Sequence, residues 1–243
     1  MTDQAVSALR VHMPGAFARL GPELANAFVA TTQGQGERVE FAAFRPSGLL
    51  AQAILSGEHA DVYVSANTLW MRRLQRAGRV RHWSTLARNR LCVVAVPRAG
   101  VRALSDLARR GLTVVAPQAA TDPCGRYVED LWRREGMLPD MLAKQSSGEL
   151  MRSIGSGDLP GYLSDGRAEA GIFYLSEARQ LERSQVQTLE LPPSQDLRER
   201  IRFVIAALTR RGEPFMRFLL GQQGRSQLCA AGFLHSRGEQ FNE

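Results

Sequence analysis

Strand-like segments alternate with helix-like segments from the beginning of the chain, and this alternation constrains the fold most. Apolar, β-branched runs predict strands, and apolar residues at helical spacing predict the helices that follow them. The strand and helix pairs are Leu9–His12 with 16–31, 39–44 with 49–55, and 60–64 with 68–77. Such a βαβα order predicts a mainly parallel sheet with helices on both faces.

The second part of the chain repeats the alternation and predicts a second α/β lobe, which a length of 243 residues accommodates. The glycine- and serine-rich segment 145–166 predicts a loop with one short helix. The other predicted strands are 91–96, 112–116, 170–174 and 201–208, and the other predicted helices are 125–134, 214–220 and 226–231.

A serine and a glycine stand at the junction between the strand 39–44 and the helix after it. The first N–H groups of a helix lack an acceptor within the helix and lie at the positive end of its dipole, so a bound oxyanion satisfies them. Ser47 adds a hydroxyl donor, and Gly48 lets a ligand approach the backbone. Ser47 also fits a simple helix N-cap, so the junction alone leaves both interpretations open.

Four loops follow the carboxyl ends of predicted strands, where open α/β sheets bind their ligands. Three of these loops lead directly into a helix, so three sets of unpaired amides are available to one small anion. The loops are MPGAF at 13–17, RPSG at 45–48, DPCGRY at 122–127 and FYLSEA at 173–178.

Composition and charge argue against several classes of protein. Apolar runs fall short of the roughly 20 residues that span a bilayer, and the start MTDQAVSALRV lacks the features of a secretion signal. The net charge of +7 comes mostly from arginine that is spread along the chain, and its short pairs do not form a nucleic-acid arm. Three distant cysteines support neither a disulfide framework nor a metal cluster. A glycine-rich dinucleotide or phosphate-loop fingerprint is also missing.

These loops occur in the order and spacing of the periplasmic molybdate-binding proteins, which are type II solute-binding components of ABC transporters. The chain resembles this family over nearly its whole length. The segments that carry the resemblance are SGLLAQAILSGEHADVYVSANTLWMRRLQRAGRV at 47–80, LARNRLCVVAVP at 86–97, PCGRY at 123–127, EAGIFYLSEA at 169–178 and AAGF at 230–233.

The resemblance implies an α/β, two-lobed type II periplasmic-binding-protein fold, each lobe being a mainly parallel sheet flanked by helices. Lobe I would comprise 1–87 and 202–243 and lobe II 88–201, with a ligand cleft between them that closes like a Venus flytrap. It further implies a monomer that binds molybdate, tungstate or another oxyanion without a cofactor or metal, catalyses no reaction, and docks on an ABC transporter permease in the periplasm.

The resemblance also implies which residues contact the anion. Cys124 replaces an alanine whose amide donates, Ala16 replaces a serine, and an ungapped count back from the site-closing tyrosine gives Ser156. The full set of implied contacts is Ala16, Ser47, Gly48, Cys124, Ser156 and Tyr174. Arg45 and Arg126 lie beside this set, either as surface residues or as accessory contacts to a larger or carboxylated anion.

Two other interpretations stay open at the level of sequence. Cys124, at a helix start after a proline, would have a lowered pKa and would act as a nucleophile if His12 served as its base. The same fold also serves cytoplasmic ligand-sensing modules, for which the lack of a readable signal sequence would be expected.

Overall fold

The computed structural model describes residues 8–181 and 185–235, which divide into two compact units. Of the described residues, unit 1 contains 8–87, 202–230 and 234–235, and unit 2 contains 88–181, 185–201 and 231–233. The ends of the expected lobe I, at 1–7 and 236–243, lie outside the described residues. The chain therefore enters unit 2 after Ala87 and returns to unit 1 at Arg202.

The predicted strands and helices are all present in the predicted order, and the structure adds further elements, among them His82–Arg88, Leu138–Ser146 and Gln187–Glu190. The strands are β1 (Leu9–His12), β2 (Val39–Phe41), β3 (Val62–Ser65), β4 (His82–Arg88), β5 (Leu91–Ala95), β6 (Val114–Pro117), β7 (Leu150–Ser153), β8 (Ala170–Tyr174), β9 (Gln187–Glu190) and β10 (Arg202–Ala207). The helices are α1 (Leu20–Val29), α2 (Ser47–Leu55), α3 (Thr68–Arg76), α4 (Pro123–Arg134), α5 (Leu138–Ser146), α6 (Leu159–Ser164), α7 (Leu175–Ala178), α8 (Glu213–Leu220) and α9 (Gln222–Ala230).

The sheet of unit 1 has the strand order β2-β1-β3-β10-β4. β1 runs parallel to β2 and β3, whereas β10 runs antiparallel to β3, with Val204 opposite Ser65. Helices α2 and α3 cover one face, where Leu50, Trp70 and Met71 pack in a buried cluster. Because β1, β2 and β3 are parallel, the loops that follow them leave the same edge of the sheet.

The sheet of unit 2 has the strand order β7-β6-β8-β5-β9. β6 is parallel to β7 and β8, and β5 is antiparallel to β8 and β9. Leu159 and Leu163 of α6 pack against Val115 and Phe173 of the sheet. The loops after β6, β7 and β8 therefore also leave one edge of their sheet.

Segment 145–166 is where the predicted elements and the structure differ most. The predicted short helix is confirmed as α6, but the rest of the segment is not simply loop, because it contains β7 and a 3₁₀ turn at Ser156–Asp158. The residues of β7 are not typical of a strand, and pairing with β6 selects the extended conformation. Asn67, which directly precedes the predicted helix 68–77 and is of a residue type that caps helices, does cap α3, since its side chain accepts a hydrogen bond of 3.3 Å from the Trp70 amide.

None of the helices within 8–181 and 185–235 combines the length and apolar character that crossing a bilayer requires.

Gly125 lets α4 begin directly against the end of β6. A Cβ atom added to Gly125 would lie 2.5 Å from both the carbonyl oxygen of Pro117 and the carbonyl carbon of Gln118. These are backbone atoms, so the contact cannot be relieved by a side-chain rotation. Gly125 therefore fixes the position of the first turn of α4.

We expect Gly125→Ala to lower the free energy of unfolding by about 1–3 kcal/mol, because the new methyl group overpacks this contact. Gly161→Ala is the matched control, since Gly161 also lies in a helix of unit 2 and its Cβ would meet only the end of Arg167 at 3.8 Å. Urea unfolding of both variants measures the difference. Equal stability of Gly125→Ala and Gly161→Ala would contradict this packing.

Candidate functional site

Ser47 is the first residue of α2 and is fully buried. Its Oγ accepts a hydrogen bond of 3.0 Å from the Ala66 amide, and its carbonyl oxygen accepts one of 2.8 Å from the Tyr63 hydroxyl. The interpretation of Ser47 as a simple N-cap is wrong, because Pro46 holds the N-cap position and Ser47 Oγ is bonded to the loop after β3. With its oxygen held by Ala66, the Ser47 hydroxyl can donate its hydrogen to another acceptor.

The amides at the start of α2 supply further donors. Leu49 and Leu50 donate their N–H groups to the Pro46 carbonyl, whereas the N–H groups of Ser47 and Gly48 have no acceptor among the described residues. Both residues are buried, so these amides are not simply satisfied by open solvent. A buried helix start with unpaired donors is suited to an anion.

Ala16 lies in the 3₁₀ turn Gly15–Phe17 after β1 and is buried. The turn is closed by the Phe17 amide on Pro14 and the Ala18 amide on Gly15. The N–H of Ala16 has no acceptor among residues 8–181 and 185–235. Because β1 and β2 are parallel neighbours, this turn and the start of α2 belong to the same edge of the unit 1 sheet.

Arg45 and His12 share one carboxylate partner in unit 1. Glu58 lies 3.7 Å from Arg45 Nη2 through Oε2 and 3.4 Å from His12 Nε2 through Oε1. Burial is the main cause that lowers the pKa of His12, and the Arg45 charge lowers it further, while Glu58 opposes both. Arg45 is thus partly exposed and ion-paired, and its accessory contact to an anion stays a prediction.

The expected amide donors of unit 2 are both held by a carboxylate. Asp122, the residue before α4, accepts a hydrogen bond of 2.7 Å from the Cys124 amide through Oδ1. Its Oδ2 accepts one of 2.6 Å from the Ser156 amide, in the loop after β7. The side chain of Asp122 is buried, so its carboxylate lies against the amides of two residues, Cys124 and Ser156, that the resemblance implies as anion contacts. An Asp before Pro at a helix start is typical of an N-cap, which was the available signal for this residue.

A second buried carboxyl group, that of Glu177, belongs to the same cluster. Its Oε2 accepts a hydrogen bond of 3.3 Å from the Tyr174 amide, and its Oε1 has no hydrogen-bond partner among the described residues. Burial raises the pKa of Asp122 to about 6 and that of Glu177 to about 8, and the nearby Asp158 adds to both shifts. The Ser156 side chain acts on both carboxyl groups and opposes the rise of their pKa values.

Cys124 and Tyr174 contact each other inside unit 2 through the thiol and the hydroxyl. Burial is the main cause that raises the pKa of Cys124 well above its ordinary value, and Asp122 and Glu177 raise it further. The expectation of a lowered thiol pKa is wrong, because burial and two carboxyl groups outweigh the helix N-terminus. Burial likewise raises the pKa of Tyr174.

Arg126 is exposed on α4, and its Nε donates to the Ala119 carbonyl at 3.2 Å. This bond ties the guanidinium to the loop after β6, and its accessory role stays a prediction. Among the described residues, no three histidine, cysteine, aspartate or glutamate side chains are grouped so that they could hold a metal ion.

We expect iodoacetamide at neutral pH to modify Cys229 before Cys124. Cys229 is partly exposed, whereas Cys124 is buried and its raised pKa keeps it as the thiol. Timed labelling followed by mass spectrometry of peptides gives the rate at each cysteine, with urea-unfolded protein as the control in which all cysteines react. Labelling of native Cys124 as fast as Cys229 would revive the nucleophile hypothesis.

We expect Glu177 to make the folded protein less stable as the pH rises. Its pKa in the folded state, about 8, lies above its ordinary 4.5, so its contribution is fully present below pH 4.5 and is lost between 4.5 and about 8. The loss should approach about 1.4 kcal/mol per pH unit within that window.

Glu177→Gln should remove this dependence, whereas Glu23→Gln, at an exposed site on α1, should keep it. Urea unfolding of each protein between pH 5 and pH 8 measures the slope. Parallel curves for the wild type and Glu177→Gln would show that Glu177 titrates alike in the folded and unfolded chains.

Comparison with known proteins finds a matching family and several similar proteins. The family model described as "Bacterial extracellular solute-binding protein" matches residues 9–234. The molybdate-binding protein ModA of Mycobacterium tuberculosis is 28% identical over 207 residues, which cover 82% of this chain and 74% of that protein.

Two solved structures resemble the chain at the level of the fold. The periplasmic molybdate-binding protein of Azotobacter vinelandii superposes with a TM-score of 0.80 at 18% identity, covering 94% of this chain and 100% of that one. The sulfate-binding protein SubI of Mycobacterium tuberculosis superposes with a TM-score of 0.74 at 20% identity, covering 93% and 85%. The predicted α/β type II periplasmic-binding-protein fold is thereby confirmed.

The family match extends over both units, from β1 to the residues after α9. It agrees with the order of strand-end loops from which the sequence predicted a solute-binding protein. The chain belongs to the bacterial extracellular solute-binding protein family.

Proposed function

We propose that this protein captures a tetrahedral oxyanion, with molybdate or tungstate as the leading ligand, and delivers it to an ABC transporter. The observation that carries the proposal is the start of α2, where a buried Ser47 hydroxyl and the unpaired amides of Ser47 and Gly48 lie together. The molybdate-binding relatives support the same class of ligand.

Neutral donors suit this task because they bind an anion without a permanent countercharge. Hydrogen bonds to a charged acceptor are stronger than those between neutral groups, and fixed backbone amides need little reorganisation. Ser47 is held in place by Ala66 and Tyr63, so its donor is preorganised. In unit 1, the amide of Ala16 adds a donor without a hydroxyl group.

In unit 2, the proposed contacts are the amides of Cys124 and Ser156 and the hydroxyl of Tyr174. The two amides become available to an anion when Asp122 releases them or loses its charge. The hydroxyl of Tyr174 and the thiol of Cys124 are already in contact, so a ligand that binds the hydroxyl would share it with sulfur.

The proposal includes a partner and a compartment. A permease of an ABC transporter would receive the ligand, and the protein would act as a monomer in the periplasm, as the family description and the periplasmic relative support. It would need no resident cofactor or metal and would catalyse no reaction, which agrees with the buried, raised-pKa thiol of Cys124. The extracellular family favours transport over a cytoplasmic sensing module.

We expect calorimetric titration to detect binding of molybdate or tungstate, and Ser47→Ala to weaken it by about 1–3 kcal/mol, or roughly 5- to 150-fold, because a buried hydroxyl donor is lost. Ser56→Ala is the matched control, since Ser56 is the exposed residue at the other end of α2. Sulfate, phosphate and small carboxylates are titrated in parallel.

Ser47 also holds the Ala66 amide, so the unfolding of each variant is measured beside its affinity. A loss of affinity in folded Ser47→Ala, with Ser56→Ala unchanged, supports the site. The absence of heat with every tetrahedral anion would overturn the proposed ligand class.

A further inference from the structure

The carboxylate of Asp122 accepts hydrogen bonds from amides that an anion-binding site would need as free donors. It occupies the amides of Cys124 and Ser156 with one oxygen each, at 2.7 and 2.6 Å. A fully ionised oxyanion needs the same amides and is repelled by the carboxylate charge. The arrangement therefore favours a ligand that brings a proton, or a state in which Asp122 itself is protonated.

We propose that Asp122 is a specificity-determining residue that makes this site bind a tetrahedral oxyanion together with one proton. The inference rests on the proposed function and adds to it the protonation state of the bound complex. The proton lies either on the ligand, as in hydrogen phosphate or hydrogen arsenate, or on Asp122 when the ligand is molybdate, tungstate or sulfate. In both cases one hydrogen lies between an oxygen atom of Asp122 and an oxygen atom of the ligand, which would otherwise repel each other.

Glu177 provides an independent sign that this cluster is incomplete without a ligand. Its carboxyl group is 4% exposed, and its Oε1 has no hydrogen-bond partner among the described residues. The charge of Asp122 acts on the Glu177 carboxyl group, so Oε1 belongs to the same cluster as Asp122. A buried oxygen without a partner is costly, and a proton-bearing ligand or a shared proton would satisfy it.

The titratable groups that face Asp122 come from several elements of unit 2. They are Cys124 on α4, Asp158 in the turn after β7, Tyr174 at the end of β8 and Glu177 on α7. All are acids, and burial already raises the pKa of Asp122 to about 6. A bound dianion would raise it further, so a proton would be taken up when the dianion binds above pH 6.

The test is calorimetric titration of the whole protein with molybdate and sulfate between pH 6.5 and pH 8.5. Uptake of one proton predicts that affinity for these dianions falls by about tenfold per pH unit. Repeating the titration at pH 8 in buffers of different ionisation heat should count about one proton per anion bound. Hydrogen phosphate, which brings its own proton at pH 8, should bind without proton uptake and more tightly than sulfate of similar size.

Asp122→Asn keeps a helix-capping side chain and removes the charge, so it should abolish proton uptake, flatten the pH dependence and erase the preference for hydrogen phosphate over sulfate. Asp106→Asn is the matched control, because Asp106 also accepts from two amides in unit 2, those of Arg102 and Ala103, but is partly exposed and lies outside the buried cluster around Asp122. It should behave as the wild type. If Asp122→Asn does not fold, Asp122→Ser offers a second neutral cap.

Each outcome decides the proposal. A pH dependence that survives in Asp122→Asn would move the effect to another group, such as His12, and overturn the role of Asp122. If Glu177→Gln alone abolishes proton uptake, the assignment to Asp122 is also wrong. Tight molybdate binding without proton uptake in the wild type would overturn the inference and leave the proposed function standing, whereas the absence of binding by every anion would overturn both.

Discussion

Backbone amides at the carboxyl edges of parallel strands are the constraint on which the rest of the structure depends. In unit 1, parallel pairing of β1 with β2 and β3 brings the turn at Ala16, the start of α2 and the loop containing Ala66 to one edge. The bond from Ala66 to Ser47 then joins two of these loops directly. Donor geometry is thus set by the sheet and not by the flexibility of any one loop.

In unit 2 the loops also leave one edge of the sheet, but there a side-chain carboxylate accepts the hydrogen bonds of the loop amides. The loops after β6 and β7 are joined by Asp122, whose carboxylate bridges the start of α4 and the turn at Ser156. Gly125 permits this bridge by letting α4 begin against the end of β6. A carboxylate in this position forms strong hydrogen bonds, because it accepts from two amides at once. Its burial nevertheless makes the charged form costly. The raised pKa of Asp122 is the result of that conflict.

The sequence was sufficient to predict those features that depend on the local pattern of residues. The alternation of strands and helices, the cap at Asn67 and the start of α2 beside Ser47 all follow from residues within a few positions of one another. The bridge through Asp122 could not be predicted in this way. It requires the pairing of β6 with β7, and β7 lies in a glycine-rich segment that predicts a loop.

Burial explains the other main failure of sequence reasoning. A cysteine at a helix start is expected to have a lowered pKa, but Cys124 is enclosed by α4, β8 and α7 together with acidic side chains, and its pKa rises. Such surroundings are assembled from residues that lie far apart in the chain. They are therefore visible only once the strand order is known.

The two unusual positions of the candidate site change its chemistry in the same direction. Ala16 supplies an amide but no hydroxyl where the resembling family has a serine, so one donor is lost. Asp122 occupies two amides and adds an acceptor. Each change leaves its own unit with fewer free donors, and in the proposed binding role a ligand would compensate at Asp122 by carrying a donor of its own. Under the proposed function, the donor balance of unit 2 would link the identity of the anion to its protonation.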